Sequence, residues 1–141
     1  GLEPATFDAV SLFDVLEHLL DPVRTLRASL ALLKPGGIVF LYVPNYDSAS
    51  RLLMGKDAHF IWPTHHLNYY TPVTIRDLLA REGLHVEYVV TEGLDVADYL
   101  WHRREVLSKP DDGLAEIADL LQFFVNAGGY GKNLRVLARK V

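Results

Sequence analysis

Apolar residues follow two rhythms along the chain, and the switch between them marks the elements. Phe7 to Leu12 is a short apolar run with Asp8 near its start, and it reads as a strand covered on both faces. "DPVRTLRASLALLKPGG" follows with helical spacing at Val23, Leu26, Leu30 and Leu33. Asp21 is placed to cap this helix and Pro22 suits its first turn. Lys34 falls in the last turn, and Pro35-Gly36-Gly37 is expected to stop it. "IVFLYVPN" is then a continuous apolar run. Strand, helix and strand of these lengths predict a right-handed crossover joining two parallel strands.

Beyond Asn45 the rhythm is lost. Residues 45–71 are rich in His, Trp and Tyr and read as a long ordered loop, with a short helix at "SASRLLMG". "TPVTIRDLLAREGL" restores the helical pattern, with Thr71 as cap, Pro72 at the start, Ile75, Leu78 and Leu79 on the apolar face, and Gly83 at the end. "HVEYVVT" alternates, which predicts a strand with Val86, Tyr88 and Val90 on one side. Residues 95–125 predict two amphipathic helices broken at "KPDDG". "LRVLARKV" predicts a final strand with Leu134, Val136 and Ala138 facing one way. No repeat or linker divides the 141 residues, so a single domain is expected.

Composition narrows the function classes. Half the residues are hydrophobic and 23% are charged, as in an ordinary globular domain. The net charge of −4 argues against a dominant phosphate-binding surface. Arg103, Arg104, Arg135 and Arg139 accordingly read as solvated faces rather than a nucleic-acid track. With no cysteine, disulfides, thiolate catalysis and Cys-type zinc sites are excluded. The apolar runs fall short of the roughly 20 residues of a membrane span, and no leader opens the sequence. A cytoplasmic location without membrane contact is the expectation.

The ordered motifs "FDAVSLFDVLEHLLDP…LLKPGGIVFLYVPN…HHLNYYTPVTIRDLLAREGL" resemble the class I S-adenosylmethionine-dependent methyltransferases. The resemblance runs from Phe7 to about Val90 and resumes at "YGKNLRVLARK". It is closest to the small-molecule and tRNA-modifying branch, so a small-molecule or tRNA methyl acceptor is implied. The implied fold is an incomplete Rossmann-like α/β sheet of strands four to seven with flanking helices, the last strand antiparallel. On that template Phe7–Leu12 is strand four, Ile38–Val43 strand five, residues 85–91 strand six and 134–141 strand seven. Strands one to three, with the glycine-rich cofactor loop and the ribose-binding acid, would precede Gly1. No G-x-G-x-x-G stands in the sequence. The resemblance therefore implies the C-terminal half of a methyltransferase, inactive alone, with residues 45–71 on the substrate side. A free strand-four edge would invite a partner or a second copy, and a non-catalytic interaction module is the alternative reading.

Ligands of open α/β sheets sit at the carboxyl ends of the strands. Phe13 and Asp14 match cofactor-contacting positions of the family; a core aromatic would explain Phe13 equally well, and a helix cap at Asp14 is compatible with a cofactor contact. Asp14, Glu17 and His18 fall at i, i+3 and i+4, on one face of a helical turn. In the ubiquinone-pathway O-methyltransferases that this stretch resembles, such a set can hold magnesium, but imidazole suits that hard cation poorly. A hydrogen-bonded Glu-His pair is the preferred reading and no metal is expected. His18 is the candidate base, with His66 as a second, because imidazole titrates near neutral pH. Asn45, His65, Tyr69 and Tyr70 are the candidate substrate contacts. His59, His65 and His66 match no strong zinc spacing.

Overall fold

The computed structural model describes residues 1–109 and 113–141. A four-stranded sheet runs in the order β1 (Phe7–Phe13), β2 (Leu33–Pro44), β4 (Asn133–Lys140), β3 (Leu84–Glu92). β1 and β2 are parallel, and β4 runs antiparallel to both its neighbours. This is the incomplete Rossmann-like sheet expected from the sequence, its last strand reversed.

Helices α1 (Pro22–Leu32) and α3 (Pro72–Arg81) begin as their sequences dictate. The Asp21 carboxylate accepts from Arg24 N at 2.9 Å, and Thr71 and Thr74 form a reciprocal capping box. Leu26 and Leu30 of α1, with Ile75 and Leu79 of α3, close over Val39, Leu41, Val43, Leu134, Val136 and Ala138. These residues all lie in one buried core on one face of the sheet. The α1 helix ends one turn earlier than Pro35-Gly36-Gly37, because β2 pairing already holds Leu33 extended beside Phe7.

The opposite face has no helix over it among the described residues. Phe13, Phe40 and Tyr42 meet edge to face there, with Phe13 and Val90 about half exposed. Arg135 pairs with Glu92 and Arg139 with Glu87 across the neighbouring strand, each at 2.6 Å. β3 carries an irregularity between Val86 and Tyr88. A bulge of this kind reverses the inward and outward sides. The alternation predicted for Val86, Tyr88 and Val90 is therefore broken: Val86 and Val89 pack on the core, and Tyr88 and Val90 face out.

Residues 45–71 are more ordered than a loop. Helix α2 (Ala49–Met54) is followed by a 3-10 turn at Gly55–Asp57, and Met54, Ala58 and Phe60 form a small second core with Tyr99. Helices α4 (Asp95–Glu105) and α5 (Ala118–Ala127) complete this layer. The predicted break between them lies largely outside the described residues. Asp95 is fully buried at the junction, and its carboxylate accepts from Ser50 N at 3.0 Å, Lys132 N at 2.7 Å and Gln122 Nε2 at 3.4 Å. The backbone packs so closely here that a Cβ at Gly93 would stand 2.8 Å from Lys132 N, and one at Gly131 2.7 Å from Glu92 N.

Asp95 thus ties three segments together. Replacing it with alanine strands the buried Ser50 amide and the partly buried Lys132 amide, and Asp95→Ala is expected to cost about 1–3 kcal/mol. Urea unfolding should show a lower midpoint with an unchanged slope. An unchanged midpoint would show that the junction adds nothing to stability.

Candidate active site

The carboxyl end of β1 is shaped by a sharp turn. Asp14 has φ 50°, a left-handed conformation that Asp tolerates better than most residues. A 3-10 turn at Leu16–His18 follows, sending Leu16 and Glu17 inward and leaving His18 exposed.

The segment His65–Tyr70 is stitched to this turn. Leu67 N and Asn68 N both donate to Glu17 O, at 2.6 and 3.0 Å. Asn68 Nδ2 donates to Leu16 O at 3.1 Å and to Leu19 O at 2.6 Å. His18 Nδ1 donates to His65 O at 2.8 Å, and His66 Nδ1 to Phe60 O at 2.8 Å. A carbonyl only accepts, so Nδ1 carries a hydrogen in each ring, and the neutral form of either ring keeps its lone pair on Nε2.

Glu17 lies beneath these rings at 1% exposure, and neither carboxylate oxygen has a hydrogen-bond partner among the described residues. His18 Nε2 is 3.8 Å from Glu17 Oε1. One ligand atom each from Glu17, His18 and His66 lie within 4.8 Å of one another, and the two rings stand 4.8 Å apart. Burial pushes the Glu17 carboxyl above its ordinary range, and the negative charge of Asp14 pushes the same way. Tyr70, also buried, has its hydroxyl pushed up to about 12 by burial and by Glu17. The hydroxyls of Tyr69 and Tyr70 are buried without a partner among the described residues.

The residues singled out in the sequence divide into groups. His18 and His66 converge on Glu17, beside Tyr70. Tyr69 stacks between Tyr46 and His66, at 5.3 and 6.5 Å. His65 turns outward to Thr64 and Trp62. Asn45 is fully buried and engaged at both ends of its amide, to Gly131 O at 2.8 Å, Gly129 O at 3.2 Å and Asp47 N at 3.0 Å. It locks the end of β2 to the turn before β4. His59 stands apart beside Asp98 and Trp101, so His59, His65 and His66 do not assemble. Phe13 and Asp14 border an open hollow of about 370 Å³ with Phe40, Tyr42 and Arg135. Asn68 went unnoticed in the sequence, where a lone amide between Leu67 and Tyr69 gives no signal of its partners.

The methyltransferase-domain profile matches residues 3–89, and the chain belongs to that family. The ubiquinone biosynthesis O-methyltransferase of Xanthomonas euvesicatoria pv. vesicatoria (strain 85-10) is 36% identical over 93 residues, covering 62% of this chain and 39% of that protein. The chain thus spans about two-fifths of the curated relative it matches. A SAM-dependent methyltransferase from Thermotoga maritima superposes with a TM-score of 0.65 at 17% identity, covering 99% of this chain and 59% of its own. One from Archaeoglobus fulgidus gives 0.61 at 19% identity, covering 99% and 62%. These likenesses establish the fold, and S-adenosylmethionine is the cofactor of the family.

An exposed aromatic and a carboxylate at the end of β1 fit one wall of a nucleoside site. The magnesium set implied by the motif does not fit: Asp14 is exposed, and two of the three converging ligands are imidazoles.

Glu17 ionises at a cost, since its folded carboxyl is raised above the unfolded value. Its contribution to stability is fullest below the ordinary glutamate range and is lost as pH rises through the folded value. Glu17→Gln should therefore stabilise the metal-free chain by about 1–3 kcal/mol at pH 7, with the gain vanishing near the ordinary glutamate range of about pH 4. A thermal-unfolding series across pH checks this, and a gain that does not vary with pH would refute it. Asn68→Ala should free the Leu67 and Asn68 amides, read as hydrogen exchange accelerated at least about tenfold there and little changed in β2.

Proposed function

We propose that this chain is the acceptor-side portion of an S-adenosylmethionine-dependent methyltransferase acting on a hydroxyl of a small-molecule acceptor. The observation that carries the reading is the Glu17–His18–His66 cluster at the carboxyl end of β1, where an open α/β sheet binds its ligands. The curated relative's O-methyltransferase name supports the choice of oxygen.

The open face supports the partial nature of the chain. A parallel sheet needs cover on both faces. The β1–α1–β2 crossover puts its helix on the buried face. A strand beyond the free β1 edge joined directly to β1 by a right-handed crossover would put its helix on that same face, whereas strands laid outward from β1 in the opposite direction would put theirs on the open face. Preceding βα units that progress outward from the β1 edge would thus cover Phe13, Phe40 and Tyr42 and bring a cofactor loop beside Asp14.

When bound, the cofactor supplies a methyl group on a positively charged sulfur. The protein must then align the acceptor oxygen and take up its proton. His18 is suited to receive that proton. Its Nδ1 is anchored to His65 O, its Nε2 lone pair is free, and the side chain is 41% exposed. The imidazolium formed is stabilised by Glu17 beneath it. His66 is held in the same way by Phe60 O. Tyr69 and Tyr70 wall the space, and Asn68 keeps the histidine segment in register with β1.

Two measurements test the proposal. Calorimetry of the 141-residue chain should show little or no binding of S-adenosylmethionine, and the full-length polypeptide should bind it. Tight binding by the chain alone would contradict the partial-site reading. In the full-length protein, His18→Gln should lower kcat about 10²–10⁴-fold and leave cofactor affinity unchanged. An unchanged kcat would remove His18 as the base.

A further inference from the structure

We infer that the hollow between Arg51 and Lys56 is an anion subsite for the methyl acceptor, which is therefore a small hydroxylated molecule with one carboxylate or phosphate end; this rests on the acceptor-side reading, in which the reacting hydroxyl lies against His18. The hollow has a volume of about 240 Å³ and is lined by Tyr46, Arg51, Gly55, Lys56 and Ile61. Two links join it to His66. Phe60, whose carbonyl holds His66 Nδ1, is the residue before Ile61. A run of rings makes the second link: His66 to Tyr69 at 6.5 Å, Tyr69 to Tyr46 at 5.3 Å, and Tyr46 to the Arg51 guanidinium at 4.4 Å.

The Arg51 cation is already in place before any ligand arrives. Its Nε donates to Tyr46 O at 2.6 Å, and its guanidinium lies over the Tyr46 ring. Tyr46 is fixed in turn, because its N donates to Tyr70 O at 2.7 Å. The Arg51 side chain is only 25% exposed, so little freedom is left to lose on binding. Among the described residues only its Nε–H is spent in a hydrogen bond, which leaves the terminal N–H groups for a ligand. Asp47 faces Nη2 at 3.6 Å, too far for a hydrogen bond.

Lys56 supplies the second charge. Gly55 has φ 60° and ψ −127°, a conformation open to glycine, and it turns the chain so that Lys56 stands on the rim beside Arg51. Lys56 makes no ion pair among the described residues. Two cations against one part-exposed carboxylate leave a local positive excess, in a chain whose net charge is −4. The excess is confined to one hollow and not drawn out into a stripe, which fits a single anionic group rather than a nucleic-acid backbone. Rings and Ile61 beside the cations suit a ligand with an apolar body and one charged end. Holding that end fixes where the hydroxyl at the other end lies.

The test is titration of the 141-residue chain with 4-hydroxyphenylacetate, the uncharged 4-hydroxyphenylacetamide and phenyl phosphate, followed by amide NMR shifts. An anion should bind with Kd of about 1 mM, the range for so small a probe, and at least about tenfold tighter than the amide. Preference for the acid assigns a carboxylate end and preference for phenyl phosphate a phosphate end; either supports the subsite. Arg51→Gln and Lys56→Gln should each cut the preference about three- to tenfold, and Asp47→Asn should raise it about threefold. Binding of the amide should stay unchanged in Lys56→Gln, and circular dichroism confirms that each variant is folded. Equal binding of anion and amide, or a preference that survives both Arg51→Gln and Lys56→Gln, would overturn the subsite. A short RNA that binds more tightly than the acid and is weakened by the same substitutions would overturn the small-acceptor reading. These titrations need no cofactor, so their failure leaves the cofactor and His18 tests untouched. An unchanged kcat in His18→Gln, in turn, removes the base and leaves anion binding standing.

Discussion

Parallel pairing of β1 with β2 is the constraint on which the rest of the structure depends. It aligns two carboxyl ends, so Phe13 and Pro44 finish their strands at the same margin of the sheet. The single helix between the strands covers one face, and among the described residues the other face and the β1 edge stay open. Asp14, at the turn, sends Glu17 beneath the surface instead of along it. Without that pairing the histidine segment would have no backbone to dock against, since its bonds run to the carbonyls of Leu16, Glu17 and Leu19.

The site stores an electrostatic imbalance. The Glu17 carboxyl is 1% exposed, and the residue is held in place chiefly through its backbone carbonyl, which accepts from Leu67 N and Asn68 N. Such an arrangement costs stability in the folded chain. The neighbouring rings offer lone pairs rather than donors, so relief comes from a proton or a cation. That instability gives the pocket its capacity to accept positive charge. Tyr70 shares the environment and is correspondingly hard to ionise.

Much of the fold was legible in the sequence because local chemistry and tertiary role agree there. Asp21-Pro22 and Thr71-Pro72 start helices in any context, and the apolar runs at Phe7–Leu12 and Ile38–Val43 have few alternatives. The bulge in β3 was not legible, since no residue type marks the place where Tyr88 turns outward. In the site, the Glu17-His18 pair stood out by spacing, but its third member did not. His66 was one of three histidines in a segment without periodicity, and only the folded path of residues 55–70 brings it to Glu17. The same limit hid Asn68, and it made Asn45 look like a substrate contact when its amide is spent within the protein.

The open face and the unpartnered edge are the features that any larger assembly must account for. Phe13, Phe40, Tyr42 and Tyr88 present an apolar surface on that face. The structure of the full-length protein with S-adenosylhomocysteine bound is the most direct measurement. It should show a strand paired with Phe7–Phe13, helices over Phe40 and Tyr42, and the nucleoside against Phe13 and Asp14. A free β1 edge, or a nucleoside bound away from the end of β1, would contradict the account.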